Sequence, residues 1–90
     1  MAISVEKLNE TTFRVRVEDG TATSHTVTVS ADYHQKLTAG RISPEQLVER
    51  SFEFLLEREP KESILRSFEL PVIGRYFPEY GSEIRRRLRG

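Results

Sequence analysis

The stretch Phe13-Arg14-Val15-Arg16-Val17-Glu18-Asp19-Gly20-Thr21, with His25-Thr26-Val27-Thr28-Val29 just beyond it, decides the fold of this 90-residue chain. Apolar and polar side chains alternate with a period of two in both halves, as they do on a strand with one buried face. Asp19-Gly20 between them is a turn signal. A two-residue turn would set Val15 opposite Ser24 and Phe13 opposite Thr26, which mixes apolar and polar positions on each face. A three-residue loop, Asp19-Gly20-Thr21, sets Phe13 opposite Val27 and Val15 opposite His25, with Gly20 in the left-handed region. The reading is therefore an antiparallel β-hairpin with strands at 12–18 and 23–29. Phe13, Val15, Val17, His25, Val27 and Val29 share its buried face. Arg14, Arg16, Thr26 and Thr28 share the other.

Downstream of the hairpin the period changes. Ser30-Ala31-Asp32 reads as the entry to a short helix at 31–38, which Ala39-Gly40 stops. Ser43-Pro44-Glu45-Gln46 then places Ser at the N-cap, Pro at the first helical position and Gln three residues after the cap. That is a capping box, in which two otherwise orphaned backbone donors find side-chain oxygens. Ile42 and Leu47 occupy the positions of a hydrophobic staple. This central helix is expected over 44–58, because Pro60 disfavours helical geometry at Glu59. Its apolar residues, Leu47 to Leu56, cover an arc of roughly 200°, so it should touch other elements on two sides. Residues 61–88 read as short helical segments punctuated by Pro71, Pro78 and Gly81, with Ile64, Leu65 and Phe68 on the first of them. The expected fold class is α+β in a single domain, 1–90, with the hairpin packed on the central helix and the C-terminal helices on its other side.

Composition bounds the chemistry. Hydrophobic residues make up 37% and charged residues 31%, and 14 basic side chains balance 14 acidic ones. Such a balance argues against a general polyanion binder. Cysteine is absent, so disulfides, a thiolate nucleophile and a cysteine zinc site are excluded. The two histidines, His25 and His34, have no ligand spacing with Asp32, and no metal or other cofactor is expected. His25 is read as a residue at the rim of the apolar sheet face, and His34 as a solvated helix residue. The five glycines are isolated, so there is no phosphate-cradling loop. Ser24 and His25 are neighbours on a strand and point to opposite faces, which prevents a Ser-His pair. No catalytic residue emerges. No apolar run is long enough for a membrane span or a signal-peptide core, and a cytoplasmic location is expected.

Two segments resemble known families. Thr26-Val27-Thr28-Val29, a short helix, Gly40 and a Ser-capped helix follow the order of the ribbon-helix-helix repressors and antitoxins over residues 25–59. That resemblance implies a DNA-binding regulator whose strand presents Thr26 and Thr28. Leu65-Arg66-Ser67-Phe68-Glu69-Leu70-Pro71-Val72-Ile73-Gly74-Arg75-Tyr76-Phe77-Pro78-Glu79-Tyr80 resembles a segment in a family of small prokaryotic proteins of unknown function. It implies no activity and no site residue.

Three features can carry binding. Arg85, Arg86, Arg87 and Arg89 give the last ten residues a net charge of +3, and with Arg14 and Arg16 they are the candidate nucleic-acid contacts. Glu45, Glu49, Glu53 and Glu57 recur at intervals of four, so like charges stack along one helix face. The arginine tail, of the same chain or of a second copy, is an obvious compensator. Tyr76, Phe77 and Tyr80 crowd around Pro78 and either close the core or form a candidate protein-interaction surface. The leading expectation is a small non-enzymatic interaction module with a protein partner or a second copy. The alternatives are a nucleic-acid-binding regulator using the arginine-rich C-terminus, and an unrecognised enzyme.

Overall fold

The computed structural model describes residues 1–89, Arg89 through its backbone alone. The elements run β1 (Ala2–Lys7), β2 (Thr12–Asp19), β3 (Thr21–Thr28), α1 (Ala31–Thr38), α2 (Pro44–Leu56), a 3-10 turn (Lys61–Ser63), β4 (Ser67–Glu69), α3 (Val72–Tyr76) and α4 (Tyr80–Arg89). The fold is α+β, with one four-stranded sheet in the order β1-β2-β3-β4. Strands β1, β2 and β3 are antiparallel neighbours, and β4 lies parallel to β3.

The β2–β3 register sets Phe13 opposite Val27 and Val15 opposite His25. Gly20, at the tip, has φ +84°, a conformation in which a side chain would be strained. Phe13, Val15, Val17 and Val27 are fully buried on one face, so Arg14 and Arg16 project from the other.

The sheet has two strands beyond the expected hairpin. β1 carries only Ile3 and Val5 on its apolar side, too short an alternation to stand out in the sequence. It pairs because Asn9 closes the connecting loop, its Oδ1 accepting from the N–H groups of Thr11 and Thr12 at 3.0 Å each. β4 replaces part of the helix expected around Ile64, Leu65 and Phe68. The second edge of β3 needs partners, and β4 supplies them. Thr26 N–H donates to the Arg66 carbonyl at 2.7 Å, and Leu70 N–H donates to the Thr28 carbonyl at 2.9 Å. A parallel partner needs a long crossover, and α1 with α2 is that crossover.

The capping box forms: Ser43 Oγ accepts from Gln46 N–H, and Gln46 Oε1 accepts from Ser43 N–H. α2 ends at Leu56, two residues earlier than expected. The Leu55 carbonyl accepts from both Arg58 and Glu59 N–H at 2.9 Å, which tightens the last turn before Pro60. One side of α2 meets the sheet, with Phe52 at 5.3 Å from the His25 ring. The other meets the C-terminal segment, with Phe54 edge-on to Tyr80 at 5.3 Å. Ser51 Oγ donates to the Leu47 carbonyl at 2.7 Å, so the buried Tyr80 hydroxyl donates to Ser51 Oγ at 2.6 Å. Burial pushes the Tyr80 phenol upward. His34 is half-buried, not solvated: its Nε2 donates to the Ile42 carbonyl at 2.6 Å and ties α1 to the α1–α2 loop.

The glutamate ridge is answered in part by the tail. Arg87 bonds Glu57 at 2.6 Å, joining α4 to the end of α2, while Arg50 serves Glu49 and Glu53. Arg86 pairs with Glu83 on its own helix. Among the described residues no helix is long and apolar enough to cross a membrane.

Arg87→Gln should lower the melting temperature at low salt more than Arg85→Gln does, and the gap should narrow as salt rises, because only Arg87 bridges two helices. Acid should destabilise the fold. Lys61 lowers the Glu62 carboxyl, a backbone hydrogen bond and Arg58 lower Glu79, and Arg86 lowers Glu83, all from an ordinary value of 4.5. Groups lowered in the folded state stabilise it fully above 4.5 and lose that contribution as pH falls through the lowered values. Glu59, raised by burial, acts in the opposite sense. Urea midpoints should therefore hold from neutral pH to about 5 and fall below the carboxylate range.

Candidate functional site beside strand β4

Two tethers set the path of the chain from α2 to β4. Lys61, only 6% exposed, bonds Asp19 of the β2–β3 turn at 2.7 Å and Glu62 at 2.8 Å. Its ammonium is held protonated to higher pH by those two carboxylates. Four residues on, His25 fixes Leu65. Its Nδ1–H donates to the Leu65 carbonyl at 2.8 Å, and Thr23 Oγ1 lies 2.8 Å from Nε2. A carbonyl only accepts, so Nδ1 carries the proton, and Nε2 faces the Thr23 hydroxyl. His25 is thus buried and structural, not at the rim as its sequence position suggests.

With its carbonyl turned inward, Leu65 leaves its side chain outside, 47% exposed. Phe68 follows on the inner face of β4, with its ring 6.1 Å from Phe52. Pro71 opens α3, which is anchored by buried Ile73 and presents Tyr76 at 68% exposure. Between these pieces lies an apolar pocket of about 320 Å³, bounded by Leu55, Ile64, Leu65, Phe68, Val72, Ile73, Tyr76 and Phe77, with Glu59 and Ser63 as polar lining. A shallower depression continues from it over Ser67, Glu69 and Arg75 and shares Leu65, Phe68, Val72 and Tyr76. The two form one groove between β4 and α3.

This geometry divides the residues singled out in the sequence. Tyr76 and Phe77 line the groove, Phe77 standing edge-on to Phe54 at 5.9 Å. Tyr80 does not belong to any surface: it is 1% exposed and belongs to the core. Arg14 and Arg16 lie on the open sheet face, paired with Glu6 at 3.3 Å and Glu18 at 3.1 Å. Arg85, Arg86 and Arg87 lie on α4, on the helical side of the sheet, so the arginines do not converge. The Arg89 side chain lies outside the described residues. β3, which the ribbon-helix-helix resemblance would pair with another chain, has β2 on one edge and β4 on the other. Among the described residues, no group of three or more His, Asp or Glu could hold a metal ion.

Leu65, Phe68, Val72 and Glu59 escaped the sequence reading. A helix through Ile64, Leu65 and Phe68 would have hidden them, and only pairing with β3 turns Leu65 outward. Comparison with protein-family models, curated proteins and solved structures gave no match.

His25→Phe removes the donor to Leu65 and should destabilise the fold by about 1–3 kcal/mol in urea unfolding. Hydrogen exchange at Leu70 N–H should accelerate with it, because the clamp holds β4 on β3. Unchanged exchange there would detach His25 from the groove.

Proposed function

We propose that this chain is a small non-enzymatic interaction module that engages a protein partner through the groove between β4 and α3. One observation carries the reading. Leu65 and Tyr76, two of the large hydrophobic side chains left exposed, stand at the same apolar pocket on an edge of the sheet. Scattered exposed apolar residues need no explanation, but a concave apolar site with aromatic walls suits an anchoring side chain. The pocket's small polar complement and a lining that includes none of Arg14, Arg16, Arg85, Arg86 and Arg87 support binding over catalysis and over phosphate recognition.

Panning a displayed random-peptide library against the purified chain should enrich binders. Those binders should shift the NMR resonances of Leu65, Phe68, Val72 and Tyr76. Leu65→Asp and Tyr76→Ala should each weaken them about tenfold, the loss of one anchoring contact. Enrichment no greater than on Leu65→Asp, or binders mapping to another face, would overturn the reading. Salt-dependent binding of mixed nucleic acid that Arg85→Gln with Arg86→Gln abolishes would favour the regulator instead.

A further inference from the structure

The deeper pocket has one charged side chain in its lining, Glu59, while Glu69 and Arg75 border the shallower part of the groove, also outside any ion pair among the described residues. The neighbouring carboxylates have partners: Glu57 has Arg58 and Arg87, Glu62 has Lys61, and Glu79 has Arg58. Glu59 lines the pocket, half-buried, and among the described residues no cation lies within ion-pair distance of it. Burial raises its carboxyl above the ordinary value, and no hydrogen bond offsets the effect. A carboxylate held partly out of water, at the wall of an apolar and aromatic pocket, complements one kind of side chain. That side chain has a long apolar stem and a cationic head.

The backbone beside the pocket supplies a second, independent argument. Arg66 and Leu70 direct their backbone groups toward β3, as the Thr26 and Thr28 bonds show. In a parallel ladder alternate residues face the same neighbour, so Ser67 and Glu69 turn their N–H and C=O groups to the free edge. Both residues are exposed and line the groove. An added strand would satisfy those groups and set alternate side chains on the pocket side.

We propose that the groove captures an extended peptide segment by strand addition to β4, with a Lys or Arg side chain of that segment in the pocket and its charge against Glu59. The proposal rests on the groove's being an interaction site and names the chemistry of its partner.

The test uses alternating valine–threonine peptides with one central lysine, arginine, norleucine or glutamate, labelled for fluorescence anisotropy. The lysine and arginine peptides should bind about tenfold tighter than norleucine, and glutamate should bind weakest. Glu59→Gln, checked for an unchanged melting temperature, should remove the preference and leave norleucine binding as it was. Norleucine binding as tight as lysine, or a lysine preference that survives Glu59→Gln, overturns the inference. If Leu65→Asp still abolishes that binding, the interaction reading stands without it. Binding of none of the four overturns strand addition, and sedimentation showing a dimer that Leu65→Asp dissociates would make a second copy the occupant.

Discussion

Strand β3 is hydrogen-bonded along both edges, and the chain from residue 61 to 70 is arranged around the second of them. A hairpin alone would leave the outer edge of β3 with unpaired donors and acceptors beside an apolar core. The chain meets that demand with three residues, Ser67–Glu69, delivered after two helices and a 3-10 turn. So short a strand is held by more than its ladder. His25 grips the Leu65 carbonyl just before it, and Lys61 grips Asp19 at the β2–β3 turn. Both anchors come from the hairpin, so the hairpin places the groove.

Helix α2 solves a different problem with the same economy. A helix touching the sheet on one side and α4 on the other leaves the stripe of Glu49, Arg50 and Glu53 toward water. Its one buried hydroxyl, Ser51, is satisfied within the helix by the Leu47 carbonyl and across the interface by Tyr80. That arrangement fixes where α4 begins and removes Tyr80 from the surface. The aromatic cluster around Pro78 thereby splits into a core residue and two residues that face the groove.

Charge follows a local rule over most of the molecule. Open-face arginines pair with glutamates on the same sheet, Glu49, Glu53 and Glu57 of the ridge pair with Arg50 and Arg87, and Arg58 stacks on Phe54 at 3.6 Å while serving Glu79. A chain with no net charge has little overall field to steer a polyanion. Glu59 has no such partner among the described residues, and as the charged side chain of the deeper pocket beside β4 it gives that pocket its chemical character.

The alternation of Phe13, Val15 and Val17 with arginines determined the hairpin register, because a slip of one residue would bury Arg14 and Arg16. Ser43-Pro44-Glu45-Gln46 determined where α2 starts, because a cap is made within four residues. Both are local and stand in the sequence. The groove is not local. Ile64, Leu65 and Phe68 suit a helix by spacing, and only a free edge some 40 residues upstream draws this segment out, with Phe68 in β4 and Leu65 in the lead to it. The exposure of Leu65 follows from pairing at that edge, and the division among Tyr76, Phe77 and Tyr80 follows from the contact of Tyr80 with Ser51 of α2. The first depends on which backbone groups were left unpaired elsewhere and the second on a side-chain contact between two helices, and both are properties of the assembled fold and not of any segment.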